Sequence, residues 1–148
     1  MANCCTFNMV VAGRKENVEE FIEVLNSYYH YDENGEYRGT FDRHLCRVNG
    51  KEVVQRIDDK QGNCEIYVSG DCAWSIYSSM TEGGYYSRRY KKDYGDRSHA
   101  TTLKLESRKL QLKIEVFSEE EGFGFREHYR YDNGDVIVEE VSDFGPAG

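Results

Sequence analysis

The chain lacks most features that announce a class. No apolar run approaches the ~18 residues a membrane span needs, so no membrane segment is expected. The opening Met-Ala-Asn-Cys-Cys has no basic stretch leading into an apolar core. That argues against a secretory signal and makes the cytoplasm the default. No Cys-x-x-Cys pair occurs among the five cysteines, so the usual half-sites of zinc and iron–sulfur centres are missing. Their odd number points to reduced thiols rather than a disulfide framework. There is no Gly-x-Ser-x-Gly elbow, no phosphate-binding glycine loop and no His-Glu-x-x-His. Bases are also few, 19 Lys and Arg against 27 Asp and Glu, for a net charge of −8. This balance disfavours simple nucleic-acid binding, because phosphate affinity comes from Lys and Arg. It fits an acidic face aimed at a basic partner, or acidity that merely keeps the chain soluble.

What is present reads as one α+β domain over residues 1–144, followed by a frayed tail, Gly145-Pro146-Ala147-Gly148. The clearest stretch is Leu110 to Phe144. Ile114 and Val116, then Phe123 and Phe125, then Val136, Val138 and Val141 mark three β-prone runs. Asn133-Gly134 joins the last two, and that dipeptide suits a hairpin turn with two positive φ angles. Thr6 to Ala12 is a first strand with Phe7, Met9 and Val11 on one face, ended by Gly13. Val18, Phe21, Ile22 and Leu25 form an apolar stripe on a helix from Asn17 to about Ser27, with Asn17 and Glu20 as a capping box. Tyr28, Tyr29, His30 and Tyr31 either stack on a ligand or cover a sheet edge. Leu45 to Val54 suggests a small hairpin around Asn49-Gly50. Cys64 to Ser69 is a strand with Cys64, Ile66 and Val68 inward. Gly70 breaks it, and Asp71 caps a helix from Cys72 to about Met80. Trp74, with Ala73, Tyr77 and Met80, lies on that helix's apolar side, as a core anchor or a binding platform. Thr101 or Thr102 caps a last short helix through Lys109. The expected fold is a mostly antiparallel sheet with helices packed on one face.

Charge is unevenly spread. Residues 115–143 hold ten acids and two bases, Arg126 and Arg130. Thr81 to Ala100 shows no periodicity and reads as a long loop, a kind that is either functional or simply solvated. It interleaves Tyr85, Tyr86 and Tyr90 with Arg88, Arg89, Lys91 and Lys92. Rings to stack on a base and cations to hold phosphate are what a nucleotide requires. These residues, with Trp74, form the candidate ligand site. The acids Glu119, Glu120, Glu121, Glu139, Glu140 and Asp143 form the alternative, a partner-binding face. No catalytic set emerges. Successive strand residues point to opposite faces, so Glu119, Glu120 and Glu121 cannot all converge beside His128. His44 and Cys46 lack further metal ligands, and Cys4 and Cys5 lack a visible activating base. No cofactor, no metal and no catalysis are expected.

Three stretches carry a family resemblance. They are the opening Met-Ala-Asn-Cys-Cys-Thr-Phe-Asn-Met-Val-Val-Ala-Gly, the central Ser69-Gly70-Asp71-Cys72-Ala73-Trp74-Ser75, and Phe117 to Tyr129. Together they resemble the YubB ferredoxin-like domain family of phage, plasmid and mobile-element proteins. One departure is the absence of the tryptophan that commonly stands near Cys4 in that family. The resemblance implies a ferredoxin-like fold in a host bacterial cell and supplies no catalytic residues. With it, two functions stand open. One is a counter-defence protein that sequesters a small nucleotide immune signal. The other is an acidic inhibitor of a basic host defence nuclease, such as a CRISPR effector. A homodimer through an exposed strand edge is a further expectation.

Overall fold

The computed structural model describes residues 4–120, 122 and 124–143. The elements follow in order. Strand β1 is Cys4–Arg14, helix α1 Lys15–Leu25, β2 Tyr29–Tyr31, β3 Tyr37–Gly39, β4 Val48–Asp58 and β5 Asn63–Ala73. Then come α2 Ile76–Met80, α3 Tyr85–Tyr94, a 3-10 turn at Gly95–Arg97, α4 Leu103–Leu110, β6 Lys113–Glu120, β7 Phe125–Asp132 and β8 Asp135–Asp143. Six strands form one antiparallel sheet in the order β4-β5-β1-β6-β7-β8, and β2 and β3 form a separate hairpin. The protein is α+β, as its pattern predicts. Among the described residues no helix is long and apolar enough to cross a membrane.

Alternation decides which sheet face is dry. Cys5, Phe7, Met9 and Val11 of β1 are buried, as are Cys64, Ile66 and Val68 of β5 and Ile114 and Val116 of β6. They share a core with Val18, Phe21 and Leu25 of α1, Ile76 and Met80 of α2, and Leu103 and Leu110 of α4. Among the described residues, the opposite sheet face carries no helix residue of this core. Helix α3 also buries no residue in it.

Several expectations need correction. Asn49-Gly50 is not a hairpin. It runs within β4, whose long pairing with β5 outweighs the local turn preference. Gly70 does not break β5. A Cβ there would lie 2.8 Å from the Phe7 ring and 2.9 Å from the Lys51 Cα, so glycine admits a close approach. Helix α2 therefore starts later, capped by Ser75, whose hydroxyl accepts from Ser78 N, and not by Asp71. Helix α1 begins before Asn17, so the Asn17–Glu20 capping box does not form; Lys15 N instead donates to Gly62 O at 2.9 Å. Thr102 does cap α4. The terminal meander forms as expected, with Asn133 at φ 51° and Gly134 at φ 88° in its turn. Phe123 lies outside the described residues, as does the tail. Val136 and Val141, which mark the last β-prone run, lie in β8 and are exposed.

Candidate functional site

The stretch expected to be a loop is helix α3. Tyr86, Tyr90 and Tyr94 recur every fourth residue, so they share one side of it. That side packs against the β2–β3 hairpin. Tyr94 stacks on Tyr31 with ring centroids 3.8 Å apart, and Tyr90 lies edge-on to Tyr29 at 6.1 Å. The guanidinium of Arg47 sits 5.3 Å above the Tyr86 ring. The spacing of these tyrosines was the available helical signal. It is easily missed because no aliphatic residue accompanies it.

Beneath this layer lies His44, fully buried and stacked on Tyr29 at 3.5 Å. Its Nδ1 donates to the Leu45 carbonyl at 2.9 Å. Its Nε2 therefore accepts from the Tyr31 hydroxyl, also at 2.9 Å, and that hydroxyl accepts in turn from His99 N. Both ring nitrogens of His44 are thus engaged. Burial holds the imidazole neutral and lowers its pKa to about 4. Burial likewise raises the Tyr29 and Tyr31 phenols.

The candidate ligand residues are divided by this packing. Tyr86 and Tyr90 face the hairpin. Arg88, Arg89, Lys91 and Lys92 do not join that layer, and all four are exposed. Arg89 is bound to Asp93 at 2.9 Å and to the Tyr85 hydroxyl at 3.2 Å, and Tyr85 itself is exposed. Lys91 faces a cavity of about 450 Å³ between α3 and α4, lined also by Ser87, Ser98, Thr101 and Thr102. Trp74 stands apart, between β5 and α2, at φ 65° and 38% exposed. A bulky side chain in the left-handed region is strained, and the position is not a core anchor.

The alternative acids are also divided, by strand alternation. Cross-strand register builds rows across the uncovered face. One is Asp71, Thr6, Glu119, Arg126 and Ser142, and the next is Ser69, Asn8, Phe117, His128 and Glu140. Glu119 and Glu140 thus share the open face, along with Glu115. Glu120 is buried, and its carboxylate accepts from Gly122 N at 3.0 Å. Glu139 pairs with buried Tyr129 and belongs to the other face. Glu121 lies outside the described residues, and of Asp143 only the backbone is described. A groove of about 780 Å³ runs over the open face, lined among others by Thr6, Asn8, Phe117, Glu119, His128 and Glu140. Within it Arg126 pairs with Glu119 at 3.3 Å, Phe117 stacks on His128 at 4.2 Å, and His128 Nε2 meets Glu115 at 2.7 Å. The same registers place the acids Glu52, Glu65, Asp71, Glu115 and Asp132 on this face, with the bases Lys113 and Arg130 among them, and these acids were not singled out in the sequence. The alternation Glu115-Phe117-Glu119 was the signal for one of them.

At one end of the groove Glu127 is buried among donors. Its carboxylate accepts from Ile76 N at 2.8 Å, Tyr77 N at 2.9 Å, Ser118 Oγ at 2.8 Å and the Tyr129 hydroxyl at 2.9 Å. This ties the start of α2 to β6 and β7. Such a saturated carboxylate holds structure and has no lone pair to spare for chemistry. Cys5 and Cys72 face each other across β1 and β5. The Cys72 thiol hydrogen-bonds Cys5 and lowers its pKa, while its own is raised. The chain matches no protein-family model, no curated protein and no solved structure.

Proposed function

We propose that this chain is a non-catalytic binding protein that engages a basic protein surface through its uncovered, acidic sheet face. The observation that carries the reading is the open groove with Glu119 and Glu140, flanked by Glu115 and Asp71 and opposed by few bases. A wide, shallow, charged surface suits a protein partner better than a small ligand. In this reading the partner is a basic host defence nuclease, matched by the acidic face, and the chain is a phage or mobile-element inhibitor, a source in keeping with the family resemblance. A ferredoxin-like core is part of this reading. It is supported by the order β4-β5-β1-β6, with α1 between β1 and β4 and the remaining helices between β5 and β6. The β2–β3 hairpin and β7–β8 are then additions. The test is binding to a purified basic defence nuclease across a salt series. Affinity should fall steeply with salt and drop about tenfold or more with Glu119→Lys and Glu140→Lys together. A complex indifferent to both salt and charge reversal would refute the reading.

A second reading, sequestration of a small nucleotide signal, rests on Lys91 at the hydroxyl-lined cavity beside α3. It predicts a melting temperature several degrees higher with a cyclic dinucleotide or related signal, since ligand at 100 times its Kd adds about 2.7 kcal/mol. That shift should be lost in Lys91→Ala.

A further inference from the structure

We propose that the free edge of β8 is a docking strand for an extended basic segment of the partner, which adds to the sheet beside it. This inference rests on the acidic-face reading and gives it a docking geometry.

Strand β8 closes one side of the six-stranded sheet, so among the described residues its outer backbone groups pair with no strand of that sheet. From Val138 to Asp143 it pairs residue for residue with β7, and its one register shift lies at the hairpin end. The outer edge is therefore regular over six residues, enough for a short added strand. The opposite edge, β4, differs. Its register shifts twice, at Asn49/Glu52 and Val53/Gln55, and irregularities of that kind blunt an edge.

The side chains of β8 define the occupant. Ile137 and Val141 are 52% and 60% exposed. Asp135, Glu139, Glu140 and Asp143 are its charges, and no base lies between them. A second copy of β8 would bring like charges together, which opposes self-pairing. A strand with two consecutive bases would meet Glu140 on the open face with one and Glu139 on the other face with the next. An aliphatic residue near Val141 would cover it. The site continues into the acidic groove through Glu140, which lines it. Backbone hydrogen bonds would supply affinity, and these alternate contacts would supply selectivity.

The probe is a capped, labelled peptide, Thr-Val-Lys-Arg-Val-Lys-Val-Thr, beside a version N-methylated at alternate residues. Fluorescence anisotropy and amide exchange are read on the full chain. The parent peptide should bind at low salt, and the N-methylated one should bind about tenfold more weakly or worse, because strand hydrogen bonds are lost. Exchange of β8 amides should slow on binding of the parent. Ile137→Lys with Val141→Lys, both at exposed positions, should weaken the parent about tenfold. Equal, salt-sensitive binding of both peptides would overturn strand docking while leaving the acidic-face reading intact. No binding of either, together with a nuclease complex indifferent to Glu119→Lys and Glu140→Lys, would remove both. Slowed exchange in β4 instead of β8 would overturn the proposal. So would a dimer of the free chain that Val141→Lys converts to monomer, because the edge would then belong to a second copy.

Discussion

At His44 the fold holds an imidazole that has lost contact with water on every side. Its two nitrogens are spoken for by Leu45 O and Tyr31, and Tyr29 covers its face. Burial disfavours the cation, so the folded-state pKa of about 4 lies below the ordinary 6.5. The sign follows directly. Above pH 6.5 both folded and unfolded chains hold a neutral ring, and the full stability is present. Between 6.5 and 4 the unfolded chain takes a proton that the folded one refuses, so stability falls as pH falls. Below 4 both are protonated and this loss stops growing. A shift of that size corresponds to about 3 kcal/mol across the window. Urea unfolding at stepped pH should reveal it, and His44→Gln, less stable at neutral pH, should have a flatter profile between 6.5 and 4. Parallel profiles for the two proteins would show that His44 does not carry the effect. The carboxylates of Asp32, Asp58 and Asp59, lowered chiefly by hydrogen bonds from Glu36 N, the Cys64 thiol and Asn63 N, contribute stability that is lost only below about pH 5, so the upper part of the window, above pH 5, isolates His44 from them.

Helix α3 has the least aliphatic content of the helices, and its existence depends on rings. With no residue in the main core, it is held by Tyr86, Tyr90 and Tyr94 against Arg47, Tyr29 and Tyr31. Tyr94→Ala should therefore cost about 2 kcal/mol and raise amide exchange across α3 while that of β1 and β5 stays slow. Arg88→Ala and Lys92→Ala, at exposed positions, should change stability by less than about 0.5 kcal/mol. The same contrast explains what could be read from the sequence. Helix α1 was legible because Val18, Phe21, Ile22 and Leu25 are aliphatic or aromatic at helical spacing. The β7–β8 turn was legible because Asn133-Gly134 has few other uses. Helix α3 was not, since tyrosines among cations look like a binding loop until the hairpin they pack on is known. Nor was the continuity of β4 and β5, where Asn49-Gly50 and Gly70 mimic turns. Long-range pairing and the Phe7 ring, both remote in sequence, decide those positions. The open-face acids were half legible: the charge bias of residues 115–143 was plain, but its division between two faces needed the register.

Across the whole molecule, β1 is the strand on which the two halves of the chain meet. It pairs with β5 on one side and with β6 on the other, and Thr6 faces Glu119 from the far end of the sequence. Both edges of β1 are thus satisfied and one face is dry, so its amides open only when the sheet comes apart. Strand β8 has one satisfied edge and exposed side chains, and its outer amides need no unfolding to exchange. Stability should therefore grade from the centre outward, slowest exchange in β1, β5 and β6 and fastest in β8 and the β2–β3 hairpin. Phe7→Ala tests whether one cooperative core sets that gradient. Phe7 is fully buried at the centre of β1 and lies against Gly70 of β5. Its truncation should cost about 3–5 kcal/mol. If one core governs the sheet, exchange in β1, β5 and β6 should accelerate together by a common factor, while the outer amides of β8 change little. Acceleration confined to β1 and β5 would instead mean that β6, β7 and β8 hold together as a separate unit, and the acidic edge would then be free to move relative to the core that presents it.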